Sequence, residues 1–207
     1  PDSSRRVLVE NCDFDVGDDG VAIKSGRDQD GWRVNRPSED IVVRRCRYSG
    51  DTGGAVAIGS EMSGGVRNIF IEDWVAPKAH HALYFKANLD RGGLITDVHI
   101  RNIVAGETDT VLIFTNDYHS YRGGEYPPRF ERVRIDDVTS LRTRVGIHVR
   151  GHVQAPVRDI RVSRMTLEQV DIPLEAAHVE DLSLIGVRAN GVRLTPADAI
   201  APKRTAK

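Results

Sequence analysis

A short pattern, apolar-x-x-apolar, returns seven times along the chain and constrains the fold more than any other feature of the sequence. Successive copies start 34, 28, 29, 35, 27 and 22 residues apart, at Val9, Val43, Ile71, Ile100, Ile135, Val162 and Leu184. A helical repeat needs units of nearly constant length, whereas a β-solenoid keeps its strands and accepts insertions in its turns. The irregular spacing therefore favours a solenoid built from strands.

A second β-rich segment follows each copy of the pattern, from residues 20–23 in the first coil to residues 191–194 in the last. Short strands of β-branched residues separated by glycine-rich turns are typical of all-β proteins. We predict an all-β fold, a right-handed single-stranded parallel β-helix of about seven coils over residues 1–194. Residues 195–207 are predicted to form a C-terminal tail with at most one helical turn.

Stacked coils place equivalent residues above one another, so the last residue of each pattern should lie in one interior column. That column would contain Cys12, Cys46, Trp74, Ile103, Val138, Met165 and Val187. Both cysteines are therefore expected to pack in the core, and a disulfide between them is the less favoured alternative. Two cysteines are too few for a disulfide framework, so they do not indicate a cellular compartment.

The charge balance excludes some classes of partner. The 207 residues include 29 Lys and Arg against 30 Asp and Glu, which gives a net charge of −1. Such a chain has no global field for nucleic acid or for an acidic membrane surface. No apolar run approaches the roughly 18 residues of a membrane span. We predict a protein without nucleic-acid or membrane partners, expect a monomer, and look to local basic clusters for any acidic substrate.

The turn at residues 17–20, Gly-Asp-Asp-Gly, occurs in one coil alone. Neighbouring strand residues point to opposite faces, so Asp18 and Asp19 can both reach a cleft only at a corner or bulge, which flanking glycines permit. Most adjacent aspartates, such as residues 136–137, are solvated turns. When two carboxylates lie close together, their pKa values separate, so one can donate a proton while the other accepts one. Cleavage of a glycosidic bond uses such a pair. We predict that Asp18 and Asp19 are catalytic.

Three longer turns, at residues 27–38, 88–93 and 116–128, are expected to wall a cleft, where solenoids commonly carry their function. Strand alternation puts Tyr84 and Lys86 on one face, so Lys86 could offer a cation to an acidic substrate. Tyr118 or Tyr121, in the third turn, could stack on a sugar ring.

A metal site is not predicted. The adjacent histidines His80 and His81 would diverge if their strand is extended, and no third ligand is spaced for them. No cofactor is predicted either.

Three ordered segments resemble the signatures of glycoside hydrolase family 28, the polygalacturonases and related pectinases. Residues 13–26 resemble the Gly-Asp-Asp motif, residues 53–68 the second signature and residues 86–93 the third, and the resemblance runs to about residue 150. It implies a parallel β-helix that hydrolyses pectic bonds with inversion and without metal. It also implies a pectic polysaccharide or oligogalacturonide as the substrate, and a secreted or periplasmic location.

Carried over residue by residue, Asp18 matches the general acid, Asp19 one of the carboxylates that activate water, and Lys86 the cation that binds a uronate. Tyr84 stands where the family has an arginine, and the family's histidine of the second signature falls at or beside residues 53–54, which are glycines. Thr52 is the nearest uncharged polar side chain. We expect substrate contacts from Lys86, Tyr84, Thr52, Lys24 and Tyr118.

The family's first catalytic aspartate lies in an Asn-Thr-Asp motif just before a segment that resembles residues 1–4, so the resemblance implies a fragment truncated at its N-terminus. The lost arginine favours an altered pectic substrate as much as plain galacturonate, for example a rhamnogalacturonan or a substituted or terminal unit. Two alternatives remain open: an inactive β-helix that binds acidic polysaccharide, and a pectate lyase, which would need clustered calcium ligands.

Overall fold

Twelve strands, one short α-helix and one 3₁₀ turn make up the part of the chain that the computed structural model describes, residues 1–119 and 122–202. The elements are β1 Arg5–Glu10, β2 Asp13–Asp15, β3 Val21–Ile23, α1 Asp28–Val34, β4 Ser38–Ser49, β5 Gly54–Gly59, β6 Val66–Lys86, β7 Leu94–Thr115, β8 Arg129–Arg150, β9 Val157–Ala177, β10 Val179–Ile185, β11 Arg188–Ala189, β12 Val192–Arg193 and the turn Pro196–Asp198. In these two ranges, no helix has both the length and the apolar character needed to cross a membrane.

The strands form a right-handed parallel β-helix, as predicted, because each coil pairs in parallel with the coil before it. The order β1-β4-β6-β7-β8-β9 runs through the sheet, and β6 to β9 each continue around several corners of a coil. The predicted interior column is confirmed: Cys46, Trp74, Ile103, Val138 and Met165 pair in register and are at most 3% exposed. Cys12, in the first coil, is half-buried, and both cysteines are free.

The repeated pattern has a backbone cause. Its third residue has a left-handed φ of 49–65° in all seven copies, at Asn11, Arg45, Asp73, Asn102, Asp137, Arg164 and Gly186. A second left-handed residue lies five positions earlier in each coil, at Arg6, Asp40, Asn68, Asp97, Arg132, Asp159 and Asp181. These residues turn the chain sharply, so the apolar residues on both sides of the turn point inward. Asn and Asp recur because they tolerate this conformation better than other non-glycine residues.

Substitutions of Asn102 test how much the left-handed corner contributes to stability. Its φ is 56° and its amide donates a 2.7 Å hydrogen bond to Asp73. Both Asn102→Ala and Asn102→Gly remove this hydrogen bond, but only alanine is strained at positive φ. We expect Asn102→Ala to be less stable than Asn102→Gly by roughly 1 kcal/mol in urea denaturation. Equal stabilities would contradict the proposed role of the corner.

The first long turn contains a helix that the sequence did not predict. Asp28 and Asp30 lie in the first turn of α1, where their negative charges interact favourably with the helix dipole and stabilise the helix. Trp32 donates its indole N–H to the carbonyl oxygen of Arg91 at 2.9 Å, which ties the helix to the turn of a later coil. The helix has only seven residues, too few for an apolar periodicity to show in the sequence.

The end of the stack also differs from the prediction. Residues 191–194 were assigned to a further parallel strand, but β12 pairs antiparallel with β11, so the two strands form a hairpin. Gly191, at φ 79°, allows the reversal. Residues 195–202 of the predicted tail contain the 3₁₀ turn, and Ile200 pairs with Glu175 of β9. Residues 203–207 lie outside the described ranges.

Candidate active site

The turn that carries Asp18 and Asp19 connects β2 to β3 and is supported by the turn of the next coil. The buried hydroxyl of Tyr48 lies 2.9 Å from the carbonyl oxygen of Asp18 and 2.8 Å from that of Thr52. The Thr52 hydroxyl donates a hydrogen bond to the carbonyl oxygen of Gly17. The two turns therefore hold each other in place, and Thr52 is one of the residues that join them.

Close packing requires glycine at two positions around this turn, Gly20 and Gly53, whereas a Cβ at Gly17 would meet no atom within 4 Å. Neither Gly17 nor Gly20 has a positive φ, which corrects the expectation that they supply an unusual backbone. A Cβ at Gly20 would lie 2.6 Å from the Tyr48 ring. Gly53 is the residue with a left-handed φ, 70°, and a Cβ there would lie 2.7 Å from Oδ1 of Asp18. Any side chain at residue 53 would therefore displace the aspartates.

The two carboxylates lie in different environments. Oδ2 of Asp19 is 2.7 Å from Nζ of Lys86, and its Oδ1 accepts the N–H of Gly54 at 2.8 Å. The side chains of this ion pair are 10% and 7% exposed. Asp18 is exposed, and its Oδ1 accepts the N–H of Asp19 at 2.8 Å. One carboxylate is thus fixed and shielded, while the other faces solvent.

Both aspartates line a cleft of about 240 Å³ that the three long turns surround, as predicted. Its lining residues are Asp18, Asp19, Lys24, Arg27, Ser60, Glu61, Lys86, Asn88, Arg91, Tyr118 and His119. Four of them are cations and three are carboxylates, so the cleft carries an excess positive charge on a chain whose net charge is −1. Such a cleft suits an anionic ligand.

Lys24 forms an ion pair with Glu61, with 2.6 Å between Nζ and Oε2. Partial burial disfavours both charges, but the hydrogen bond and the opposite charge of the partner prevail. The pKa of Lys24 is therefore raised and the pKa of Glu61 is lowered. Both groups are charged at neutral pH, and the predicted contact residue Lys24 reaches the cleft with its counter-ion beside it.

Arg91 was not predicted and is the most buried arginine of the cleft, with 5% exposure. Its Nη1 is 2.7 Å from the carboxylate of Asp28, and its Nε donates to the carbonyl oxygen of Ser60 at 3.1 Å. It therefore joins turns from three coils. Arg91 and Glu61 both fall inside the segments that resemble family signatures, and this signal could have identified them.

Two tyrosines flank Lys86: Tyr118 lines the cleft, and Tyr84 is not among its lining residues. Its Nζ lies 4.7 Å from the ring centroid of Tyr84 and 5.1 Å from that of Tyr118, within reach of cation–π attraction. The rings meet edge to face at 5.9 Å. Burial, together with nearby negative charge, raises the pKa of both phenols, so both stay neutral. Tyr121 lies outside the described residues.

The histidines of β6 lie closer together than an extended strand allows. The ring centroids of His80 and His81 are 4.1 Å apart, and Asp109 of β7 completes a group whose potential ligand atoms lie within 4.8 Å of one another. The two histidines therefore do not diverge, and Asp109 offers the third potential ligand, which corrects both expectations. Burial, and then the charge of His80, lowers the pKa of His81 to about 3, so its ring is neutral.

The chain belongs to family 28 of the glycosyl hydrolases, because the sequence profile described as "Glycosyl hydrolases family 28" matches residues 1–182. It is 27% identical to a probable polygalacturonase from Vitis vinifera over 99% of this chain and 43% of that protein. It is 24% identical to an endo-polygalacturonase from Pectobacterium carotovorum subsp. carotovorum, over 68% of this chain and 32% of that protein.

A solved structure supports the same assignment. The crystal structure of a hyperthermoactive exopolygalacturonase from Thermotoga maritima superposes with a TM-score of 0.87 at 34% identity. The match covers 94% of this chain and 44% of the Thermotoga chain. The chain therefore spans less than half the length of the relatives that it matches.

Proposed function

We propose that this chain carries the general acid and part of the water-activating base of a pectin hydrolase that cuts galacturonate-containing polysaccharide with inversion. The observation that carries the proposal is the pair of unlike carboxylates: Asp18 is exposed at the cleft, and Asp19 is fixed by Lys86 and Gly54. Membership of family 28 supports the reaction class. The chemistry assigned to the two aspartates uses no metal.

In this proposal, Asp18 is the general acid. Its exposed carboxyl group can approach the glycosidic oxygen and protonate it as the bond to the sugar breaks. Asp19 is one of the carboxylates that accept a proton from the attacking water, and Lys86 and Gly54 hold its two oxygens in place while the side chain lines the cleft. Inversion needs about 6.5–9.5 Å between the acid and the base side, so that water fits between base and sugar.

Substrate recognition in this proposal rests on the cations of the cleft. An ammonium group has three N–H donors, so Lys86 can bind a uronate carboxylate while it keeps its contact with Asp19. Lys24 and Arg27 add positive charge, and the ring of Tyr118 offers an apolar face to a sugar. Contacts of substrate with Thr52 and Tyr84 stay predictions. The hydroxyl of Thr52 is already bonded to Gly17.

Location and assembly follow the same proposal. A polymer of plant cell walls lies outside the cell that degrades it, so we propose a secreted or periplasmic protein. The monomeric state stays a prediction.

The test is cleavage of polygalacturonate by the complete gene product in the presence of EDTA, measured as new reducing ends. We expect EDTA-resistant cleavage, and cleavage of the fully methyl-esterified polymer at least about tenfold slower, because esterification removes the charge that Lys86 binds. Parallel assays on rhamnogalacturonan identify the polymer, and product sizes separate terminal from internal cleavage. Binding of polygalacturonate without cleavage would replace this proposal with the carbohydrate-binding alternative.

A further inference from the structure

His80 and His81 lie at a corner of β6, next to β7. This corner is outside the cleft that contains Asp18 and Asp19. Each of His80, His81 and Asp109 offers one potential ligand atom, and these atoms lie within 4.8 Å of one another. The two imidazole rings are 4.1 Å apart and inclined by 46°. None of the three residues lines the cleft that contains Asp18 and Asp19.

The fold explains why the three side chains meet. Residues 81–83 are all buried, so the alternation of an extended strand is broken where β6 bends. Neighbouring histidine rings can therefore lie side by side. Thr110 pairs with His81 in the register of β6 and β7, which brings Asp109 next to the bend. The group thus spans two successive coils.

His81 has an unpartnered buried nitrogen. The residue is 8% exposed, and among the described residues its Nδ1 has no hydrogen-bond partner. Buried polar atoms in folded proteins nearly always have a hydrogen-bond partner, so this nitrogen is available to a ligand. An imidazole nitrogen without a hydrogen-bond partner is free to bind a metal ion.

Asp109 is already oriented. Its Oδ1 accepts from Nε of Arg144 at 2.7 Å, and its Oδ2 accepts from Nη2 of Arg144 and from the hydroxyl of Thr110, each at 3.0 Å. A carboxylate oxygen has two lone pairs, so Oδ1, which accepts one hydrogen bond, can still coordinate a cation, whereas both lone pairs of Oδ2 are used. Metal-binding carboxylates are commonly oriented by hydrogen-bond donors of this kind.

An ion can reach the group from solvent. His80 is exposed, and His80 and Asp109 line an open cleft of about 580 Å³. Four carboxylates line this cleft, those of Asp51, Glu107, Asp109 and Asp171. Three cations line it as well, those of Lys78, Arg142 and Arg144. The carboxylates offset the charge of the nearby basic side chains.

We propose that His80, His81 and Asp109 bind a divalent transition-metal ion of the zinc class, which links β6 to β7. Two imidazoles and one carboxylate suit Zn²⁺ or Co²⁺ better than Mg²⁺ or Ca²⁺, which prefer oxygen ligands. Three protein ligands leave the fourth tetrahedral position to water. In this proposal, the exposed His80 side chain rotates until all three ligand atoms lie roughly 2.0–2.2 Å from the ion. This site is separate from the proposed hydrolysis and takes no part in it.

The probe is Co²⁺, added to the EDTA-treated and dialysed protein. We expect the visible absorption of a low-symmetry Co²⁺ site with one ion per chain, displaced by Zn²⁺ and not by Mg²⁺. His80→Ala should weaken Co²⁺ binding at least about tenfold. Zn²⁺ should raise the thermal unfolding temperature of the unaltered protein but not that of His80→Ala. His80 is exposed, so this variant should fold even if variants of the buried His81 do not.

His99→Ala is the matched control, because His99 is an exposed strand histidine that packs on Phe70 and is not part of the group. Its Co²⁺ affinity should equal that of the unaltered protein. Absence of the Co²⁺ spectrum would overturn the proposal. Equal losses in His80→Ala and His99→Ala would also overturn it, since they would show non-specific binding to surface histidines. Neither result depends on whether the protein cleaves pectin.

Discussion

Replacing Asp18 with asparagine lowers the rate of polygalacturonate cleavage by about 10²–10⁴-fold, with little change in KM. The amide cannot give a proton to the leaving glycosidic oxygen, yet its oxygen can still accept the N–H of Asp19 that the carboxylate accepts at 2.8 Å. The turn should therefore keep its shape. The measurement is kcat on the complete gene product, with urea denaturation to show that the stability of Asp18→Asn is unchanged.

The control for this substitution is Asp137→Asn. Asp137 also belongs to an adjacent pair of aspartates, but it is exposed at a left-handed corner with φ 58°, a conformation that asparagine tolerates. Its rate should equal that of the unaltered protein. A twofold or smaller effect of Asp18→Asn, or an equal loss in both variants, would remove Asp18 from the catalytic role.

Replacing Lys86 with methionine destabilises the fold by about 3–5 kcal/mol, because it leaves Asp19 charged, nearly buried and without its counter-ion. The pair is 2.7 Å apart and its side chains are 7% and 10% exposed, so solvent screens it little. Methionine keeps the volume of the lysine stem, so the loss reflects charge more than packing. The free energy of unfolding from urea titrations measures the effect.

The double variant Asp19→Asn with Lys86→Met separates the interaction from the residues themselves. It should recover a large part of the stability lost in Lys86→Met, because no unpaired charge remains. Lys78→Met is the control on the same strand: Lys78 pairs with Asp51 at the surface, where such pairs contribute little. Its stability should be almost unchanged. Equal destabilisation by Lys86→Met and Lys78→Met would contradict the importance of the buried pair.

The coil arrangement could be predicted from the sequence because each coil repeats one backbone requirement. Apolar residues must flank a sharp corner, and the residue inside that corner must accept a left-handed φ, so Asn, Asp and Gly recur there. The interior column from Cys46 to Met165 follows directly from this pattern. The helix α1 leaves no such pattern, since it is a single short insertion.

The cleft was less predictable, because it combines side chains that lie far apart in sequence. Asp19 and Lys86 are 67 residues apart, and Asp28 and Arg91 are 63 apart. Their pairing depends on coil stacking and side-chain rotamers, which a strand pattern does not specify. Resemblance to family signatures supplied Asp18, Asp19 and Lys86 and covered Arg91 as well, but the ion pair of Arg91 with Asp28 became visible only in three dimensions.

The group of His80, His81 and Asp109 was missed for a related reason. Strand alternation predicts that adjacent histidines diverge, but the corner in β6 brings their rings together. The nearest turn signal in this continuous strand is Pro77, three residues before His80, and it does not indicate that the two rings meet. The alternation of side chains between opposite faces therefore holds along the straight parts of each coil and fails at the bends. Polar side chains can lie next to one another there.

The most direct test of the hydrolase proposal is cleavage of polygalacturonate by the complete gene product in oxygen-18 water with EDTA present. Hydrolysis places one labelled oxygen at the new reducing end, and mass spectrometry should find saturated products that carry this label. Asp18→Asn should yield almost none of them. Unlabelled products with an unsaturated end would show elimination by a lyase, and bound but uncut polymer would show a carbohydrate-binding protein; either result would contradict hydrolysis at Asp18 and Asp19.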